Sequence, residues 1–137
     1  MTGINAYLTF NGNCREAMLF YKDCLGGDLF LQTIDDSPCS NDIPESMKGF
    51  ILHASLVKDE ITILASDMVG EHGLIKGNSV SLMLNCDTEE DAKLYYEKLS
   101  QGGEMTHPLE RTYWGALFGD LIDPYGIQWL LQYNKND

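Results

Sequence analysis

NCREAMLFYKDCLGG, Asn13 to Gly27, returns 75 residues later as TEEDAKLYYEKLSQG, Thr88 to Gly102. In this register Glu16 meets Asp91, Ala17 meets Ala92, Leu19 meets Leu94, Phe20 meets Tyr95, Tyr21 meets Tyr96 and Gly27 meets Gly102. Each copy carries an apolar stripe at i, i+3, i+4, i+7: Ala17, Phe20, Tyr21 and Cys24 in one, Ala92, Tyr95, Tyr96 and Leu99 in the other. That period belongs to an amphipathic helix packed on one face, so the aromatic pairs read as core anchors. Asn13 and Thr88 stand where N-caps are expected, followed by acidic residues that favour the positive end of the helix dipole. Gly26-Gly27 and Gly102-Gly103 supply the backbone freedom that ends a helix.

The flanks repeat as well. Strands are expected at Ile4 to Phe10 before the first helix and at Val80 to Cys86 before the second. After the first helix they are expected near Asp28 to Ile34, Phe50 to Val57 and Glu60 to Ser66, with a two-residue hairpin at Lys58-Asp59. After the second come Glu104 to Leu109, Trp114 to Ile122 and Ile127 to Gln132; the last two are joined by Asp123-Pro124-Tyr125-Gly126, a type I turn by composition. The expected fold class is α+β: two βαβββ modules, about residues 4–67 and 78–133 of one domain, whose curled mixed sheets enclose a cavity. Two loops break the pattern, the acidic Asp35 to Gly49 and the inter-module Met68 to Gly77.

The bulk properties narrow the function. With 137 residues, 44% of them hydrophobic, the chain can bury a core without disulfides or a structural metal. Its net charge of −12 opposes binding to nucleic acid or to anionic membranes. No apolar run reaches the length of a membrane span, and the first residues lack the pattern of a secretory signal; a cytoplasmic location is expected. Cys14, Cys24, Cys39 and Cys86 form no CxxC pair and read as reduced, buried thiols.

Several of these segments also carry a family resemblance. Tyr7-Leu-Thr-Phe-Asn-Gly-Asn13, Phe20-Tyr21-Lys22 with Gly26-Gly27, Leu52-His53-Ala54, and Trp114-Gly-x-x-x-Gly119 leading into Asp123-Pro-Tyr-Gly126 occur in one order. Together they resemble the PhnB-like branch of the vicinal oxygen chelate superfamily, the glyoxalase/bleomycin resistance/dioxygenase fold. The resemblance runs from about Ile4 to Gln132. It implies a homodimer, and it implies relatives that range from metal-dependent isomerases and dioxygenases to proteins that sequester drugs without chemistry. Some PhnB-like sequences carry a ubiquinone-methyltransferase-like label, but no glycine-rich nucleotide motif follows a strand here.

The superfamily's enzymes hold one divalent metal with His, Glu or Gln from symmetry-related strands. The resemblance puts those positions at about Asn5, at Ser81, at Leu130 and within ITILAS of the strand ending at Ser66. Asn, Ser and Leu do not replace such ligands, so no metal residues and no cofactor are assigned; a divalent metal is kept only as an alternative. Strand alternation leaves Tyr7 on the cavity face of the first strand and Ser81 on that of the second module's first strand. His53 shares a polar face with Ser55 and is the best catalytic candidate, against the plainer reading of a histidine bonded within a sheet or at an interface. Trp114 and Phe118 fall on one strand face, and Gln128 lies beside the last ligand position. His72 and His107 read as surface residues, the latter as the first half of a His-Pro backbone signal.

The leading reading is a small-molecule-binding homodimer without the usual metal, its ligand contacted by Tyr7, His53, Ser81, Trp114, Phe118 and Gln128. Two alternatives stand beside it. One is a metal-dependent lyase or isomerase of glyoxalase type, recruiting its metal through His53. The other is a structural or regulatory homodimer that binds no ligand.

Overall fold

A computed structural model describes residues 2–36, 45–47 and 49–135. Cys39 and most of the acidic loop after Asp35 lie outside the described residues. The chain divides into two compact units, Met1–Ile75 and Lys76–Asp137. The first contains β1 (Ala6–Thr9), α1 (Cys14–Leu25), β2 (Asp28–Thr33), β3 (Ile51–Lys58) and β4 (Ile61–Ser66). The second contains β5 (Leu82–Cys86), α2 (Glu89–Ser100), β6 (Glu104–Arg111), β7 (Leu117–Ile122) and β8 (Gln128–Tyr133). The sheet orders are β1-β4-β3-β2 and β5-β8-β7-β6. In each unit the first strand pairs parallel with the last, and the remaining pairings are antiparallel. The βαβββ repeat read from the helices is therefore present twice, as two open four-stranded mixed sheets.

The helices bury the expected stripe with one adjustment. Ala17, Tyr21 and Cys24 of α1 and Ala92, Tyr96 and Leu99 of α2 are buried. Phe20 and Tyr95, expected as equal anchors, are only half-buried. They sit at the margin of the stripe, while Cys14, Met18 and Leu25 complete the inner face of α1. Each large side chain so enclosed contributes about 1.5–3 kcal/mol. Tyr96 keeps its polar end satisfied: its hydroxyl lies 3.0 Å from the His107 carbonyl and 2.9 Å from that of Asp120, tying α2 to β6 and β7.

The two helix starts differ. Thr88 Oγ1 accepts the Asp91 amide at 3.0 Å, as a capping threonine should. Asn13 makes no such bond. The carboxylate of Asp67, just past β4, takes that place: Oδ1 accepts the amides of Gly12 and Cys14 at 2.8 and 3.0 Å, and Oδ2 accepts the Ile51 amide at 2.8 Å. One buried carboxylate thus joins the helix entry, β3 and β4.

The turns follow their chemistry. Between β3 and β4 the two-residue turn is Asp59-Glu60, one residue later than expected, with Asp59 at φ 51°, a conformation aspartate tolerates. Gly126 N–H donates to Asp123 O at 3.0 Å, closing the Asp-Pro-Tyr-Gly turn. Asp123 is itself buried and accepts from the amides of Tyr125 and Ile127 and from Trp129 Nε1, at 2.8, 3.1 and 2.8 Å. The strand expected from Trp114 begins only at Leu117. Thr112 and Ala116 close a turn before it, so strand alternation does not relate Trp114 to Phe118.

Candidate functional site

In the second unit a groove of about 270 Å³ lies over β6, β7 and β8, its polar lining supplied by Ser81, Thr106, His107, Asp120 and Gln128 beside Leu130. Ser81 and Gln128 are where regular alternation places them. Thr106 and His107 are not explained that way, because consecutive strand residues point to opposite faces. Here both side chains reach one carboxylate: Thr106 Oγ1 donates to Asp120, and His107 Nδ1 lies 2.9 Å from Oδ1 and 3.0 Å from Oδ2.

The backbone of β6 makes this arrangement. Its pairing with β7 shifts between Glu104 and His107 and again between His107 and Glu110, which leaves His107 directly opposite Asp120. Such bulges bend a strand and re-aim its side chains. Pro108 is accommodated because β6 is an edge strand, where a missing amide donor leaves no ladder bond broken. Gly119, the neighbour of Asp120, lets β6 come close: a Cβ there would lie 2.9 Å from both the His107 carbonyl oxygen and the Leu109 nitrogen.

Burial pushes the Asp120 carboxyl upward, but the hydrogen bonds from Thr106 and His107 and the charge of His107 outweigh it, holding the group below the usual carboxylate range. An ionised carboxylate only accepts, so the hydrogen of a neutral His107 ring resides on Nδ1 and the lone pair on Nε2. Because the folded-state pKa of Asp120 is depressed, these bonds stabilise the fold above the ordinary carboxylate pKa. That contribution is lost as pH falls through the lower folded value. The side chain of His107 is 78% exposed and that of Asp120 is 26% exposed, so the imidazole is reachable while the carboxylate is partly enclosed.

The other candidates are dispersed. Phe118 shares the groove's sheet face, opposite Gln132 on β8, and Gln132 in turn contacts Asn85 at 3.4 Å. Trp114 stands in the Thr112–Ala116 turn, 55% exposed, its ring edge-on to Tyr113 at 4.8 Å. Tyr7 and His53 belong to the first unit, on one face of its sheet with ring centroids 6.3 Å apart, and His53 stands opposite Gln32 of β2.

The positions that the resemblance assigns to the metal carry no His, Glu or Gln. Asn5 is exposed ahead of β1, Ser81 offers a hydroxyl, Leu130 offers none, and β4 carries only apolar and hydroxyl side chains. Among the described residues no group of three or more His, Cys, Asp or Glu could hold a metal ion. His107 and Asp120 are two donors that already bind each other. The residues present do not fit the family's metal.

Nor do the described cysteines offer a nucleophile. Burial, then the negative charge of Asp67, pushes the Cys14 thiol up to about 12. Burial, then Asp91 and Asp87, pushes Cys86 up to about 11. Both stay protonated at neutral pH, and Cys24 is buried. In native protein at pH 8, alkylation of Cys14 and Cys86 by iodoacetamide, followed by mass spectrometry, is expected to run at least about 100-fold slower than that of free cysteine, the ratio of thiolate fractions. Alkylation of either at the free-thiol rate would contradict this.

Residues 3–131 match the model of the family described as the Glyoxalase/Bleomycin resistance protein/Dioxygenase superfamily. Protein YjdN of Escherichia coli strain K12 is 24% identical, with 96% of this chain and 95% of that protein covered. Among solved structures, protein PA1353 from Pseudomonas aeruginosa is 35% identical with a TM-score of 0.86, and 98% of each chain is covered. The PhnB protein from Bacillus cereus is 26% identical with a TM-score of 0.75, over 97% of this chain and 100% of that one. No described helix is long and apolar enough to cross a membrane. The repeated βαβββ topology and these likenesses agree: the chain belongs to the glyoxalase/bleomycin resistance/dioxygenase superfamily, in its PhnB-like branch.

Proposed function

We propose that the protein binds a small molecule in the groove over β6–β8 and does so as a homodimer without a resident metal. The observation that carries this reading is the groove itself, where two hydroxyls, an amide and an ordered His–Asp pair converge beside Leu130. Convergent polar groups beside an apolar wall can fix the orientation of a small ligand. The absence of a fitting donor set among the described residues supports independence from metal. Exposed Tyr7, Phe30 and Val57 on the first unit's sheet support self-association, since they leave apolar surface for a second copy to cover. The acidic surface argues against nucleic acid and anionic membrane as partners, and a cytoplasmic location belongs to the same reading.

The test is a thermal-shift screen of a metabolite library with the wild type and Ser81→Phe, which puts a ring at an exposed position on the groove rim. Hits that raise the wild-type midpoint are expected to lose their effect in the variant. A bound ligand at 100 times its Kd stabilises by about 2.7 kcal/mol, readily seen in such a screen. Hits indifferent to Ser81→Phe would sink the groove as the site. A stoichiometric divalent ion in protein purified without chelator would overturn the metal-free reading. Light scattering giving 15.4 kDa in solution would overturn the dimer.

A further inference from the structure

We propose that His107 and Asp120 form a proton-accepting dyad, with imidazole Nε2 acting as general base toward a weakly acidic small molecule held in the groove. The proposal rests on the groove being a ligand site. Its premises are geometric. Asp120 holds Nδ1 at 2.9 and 3.0 Å with both oxygens, and Thr106 Oγ1 donates to Oδ1 of the same carboxylate. A base oriented by a carboxylate that is itself fixed by a third group is the arrangement proton transfer requires. The exposed ring puts Nε2 within reach of a ligand, while Leu130 and Ile122 offer an apolar wall for its body. Among the described residues that line the groove there is no lysine or arginine to compete for Asp120.

Local structure is committed to this contact at some cost. Two register shifts flank His107 in β6, Pro108 follows it, and Gly119 removes the Cβ that would hold the two strands apart. A hairpin needing only a stable edge would be served by regular pairing. What the distortion achieves is two adjacent side chains converging on one carboxylate beside a groove. Proton transfer then proceeds without a further reactant. The Nε2 lone pair forms the new N–H bond, the electron pair of the broken bond stays with the substrate, and the imidazolium is stabilised by ionised Asp120.

The probe is 5-nitrobenzisoxazole, a small aromatic carbon acid. Removal of its C3 proton by Nε2 drives the C–H pair into a nitrile π bond and breaks the N–O bond, whose electrons leave on a coloured phenolate. The wild type is expected to exceed free imidazole at equal concentration by about 100-fold or more, the low end of general-base catalysis. His107→Gln is expected to lose that excess, and His72→Gln, on the exposed inter-module linker, to keep it. Asp120→Asn tests the positioning role: turnover falls, and nitrogen-15 spectra of the His107 ring show the Nδ1–H tautomer giving way to a mixture. A merely structural Asp120 would lower the melting midpoint and leave the tautomer unmoved. Should Asp120→Asn fail to fold, the wild-type ring spectrum decides, because a predominant Nε2–H tautomer overturns the dyad. Turnover in His107→Gln equal to wild type also overturns it. Ser81→Phe separates the two proposals: turnover that survives it keeps the base and rejects the groove, whereas library ligands that bind wild type without any His107-dependent turnover keep the groove and reject the base.

Discussion

Asp67→Ala is expected to destabilise the protein by about 3–5 kcal/mol, since leaving a buried donor without its acceptor costs roughly 1–3 kcal/mol and three amides depend on this side chain. The donors belong to Gly12, Cys14 and Ile51; the Cys14 and Ile51 bonds are buried and Asp67 is 2% exposed, so water cannot replace the carboxylate there without entering the core, while the Gly12 amide is only part-buried. The loss would appear as a fall in melting midpoint of about 10 °C or more for a chain of this size. Asp67→Asn sharpens the test. If its one carbonyl oxygen serves Gly12 and Cys14, its NH2 faces the Ile51 amide, donor against donor; the variant should fall between wild type and alanine. A change in midpoint below about 3 °C for Asp67→Ala would show that the helix entry does not depend on this group.

Gly119→Ala is expected to cost about 1–3 kcal/mol through overpacking and to dismantle the His107–Asp120 contact as well. The added methyl would meet the His107 carbonyl oxygen, the Leu109 nitrogen and the Leu109 Cα at 2.9, 2.9 and 3.0 Å. All three are backbone atoms, so relief requires β6 to move away from β7. The expected signature is a lowered unfolding midpoint together with loss of the His107 Nδ1–H resonance. Gly115→Ala supplies the contrast. Its Cβ meets nothing within 4 Å, but its φ of +90° disfavours a side chain. It should cost roughly 1 kcal/mol and leave the His107 ring undisturbed. Equal effects of the two substitutions on the ring would refute the close-approach argument.

Features set by neighbouring residues were legible from sequence. Helix stripes, the Thr88 cap, the Asp-Pro-Tyr-Gly turn and the order of strands all express interactions within a few positions along the chain. Ser81 and Gln128 border the groove, on the side that alternation along β5 and β8 indicates. The misreadings share a different cause. Asn13 was expected to cap α1, but the group that does so is Asp67, distant in sequence. The composition of Thr112–Ala116 resembles a strand and puts Trp114 on a strand face, but the segment is a turn. His107 is exposed, as its sequence suggests, but its pairing with Asp120 is not legible, because a bulge reverses the alternation around it and leaves almost no trace in composition. His-Pro on a strand followed by an Asp-containing partner with an adjacent glycine was the available signal.

The parallel pairing of β1 with β4 also bears on how the chain is made. Ala6 finds its partner Ile63, and the α1 entry its Asp67, only after the rest of the first unit has been synthesised. At about 5–20 residues per second, a ribosome leaves β1 without its neighbour for several seconds. During that interval the nascent chain carries an unpaired strand, and chaperones that recognise extended apolar segments have their opportunity. Asp67 must emerge from the exit tunnel before the carboxylate that joins the helix entry, β3 and β4 is available.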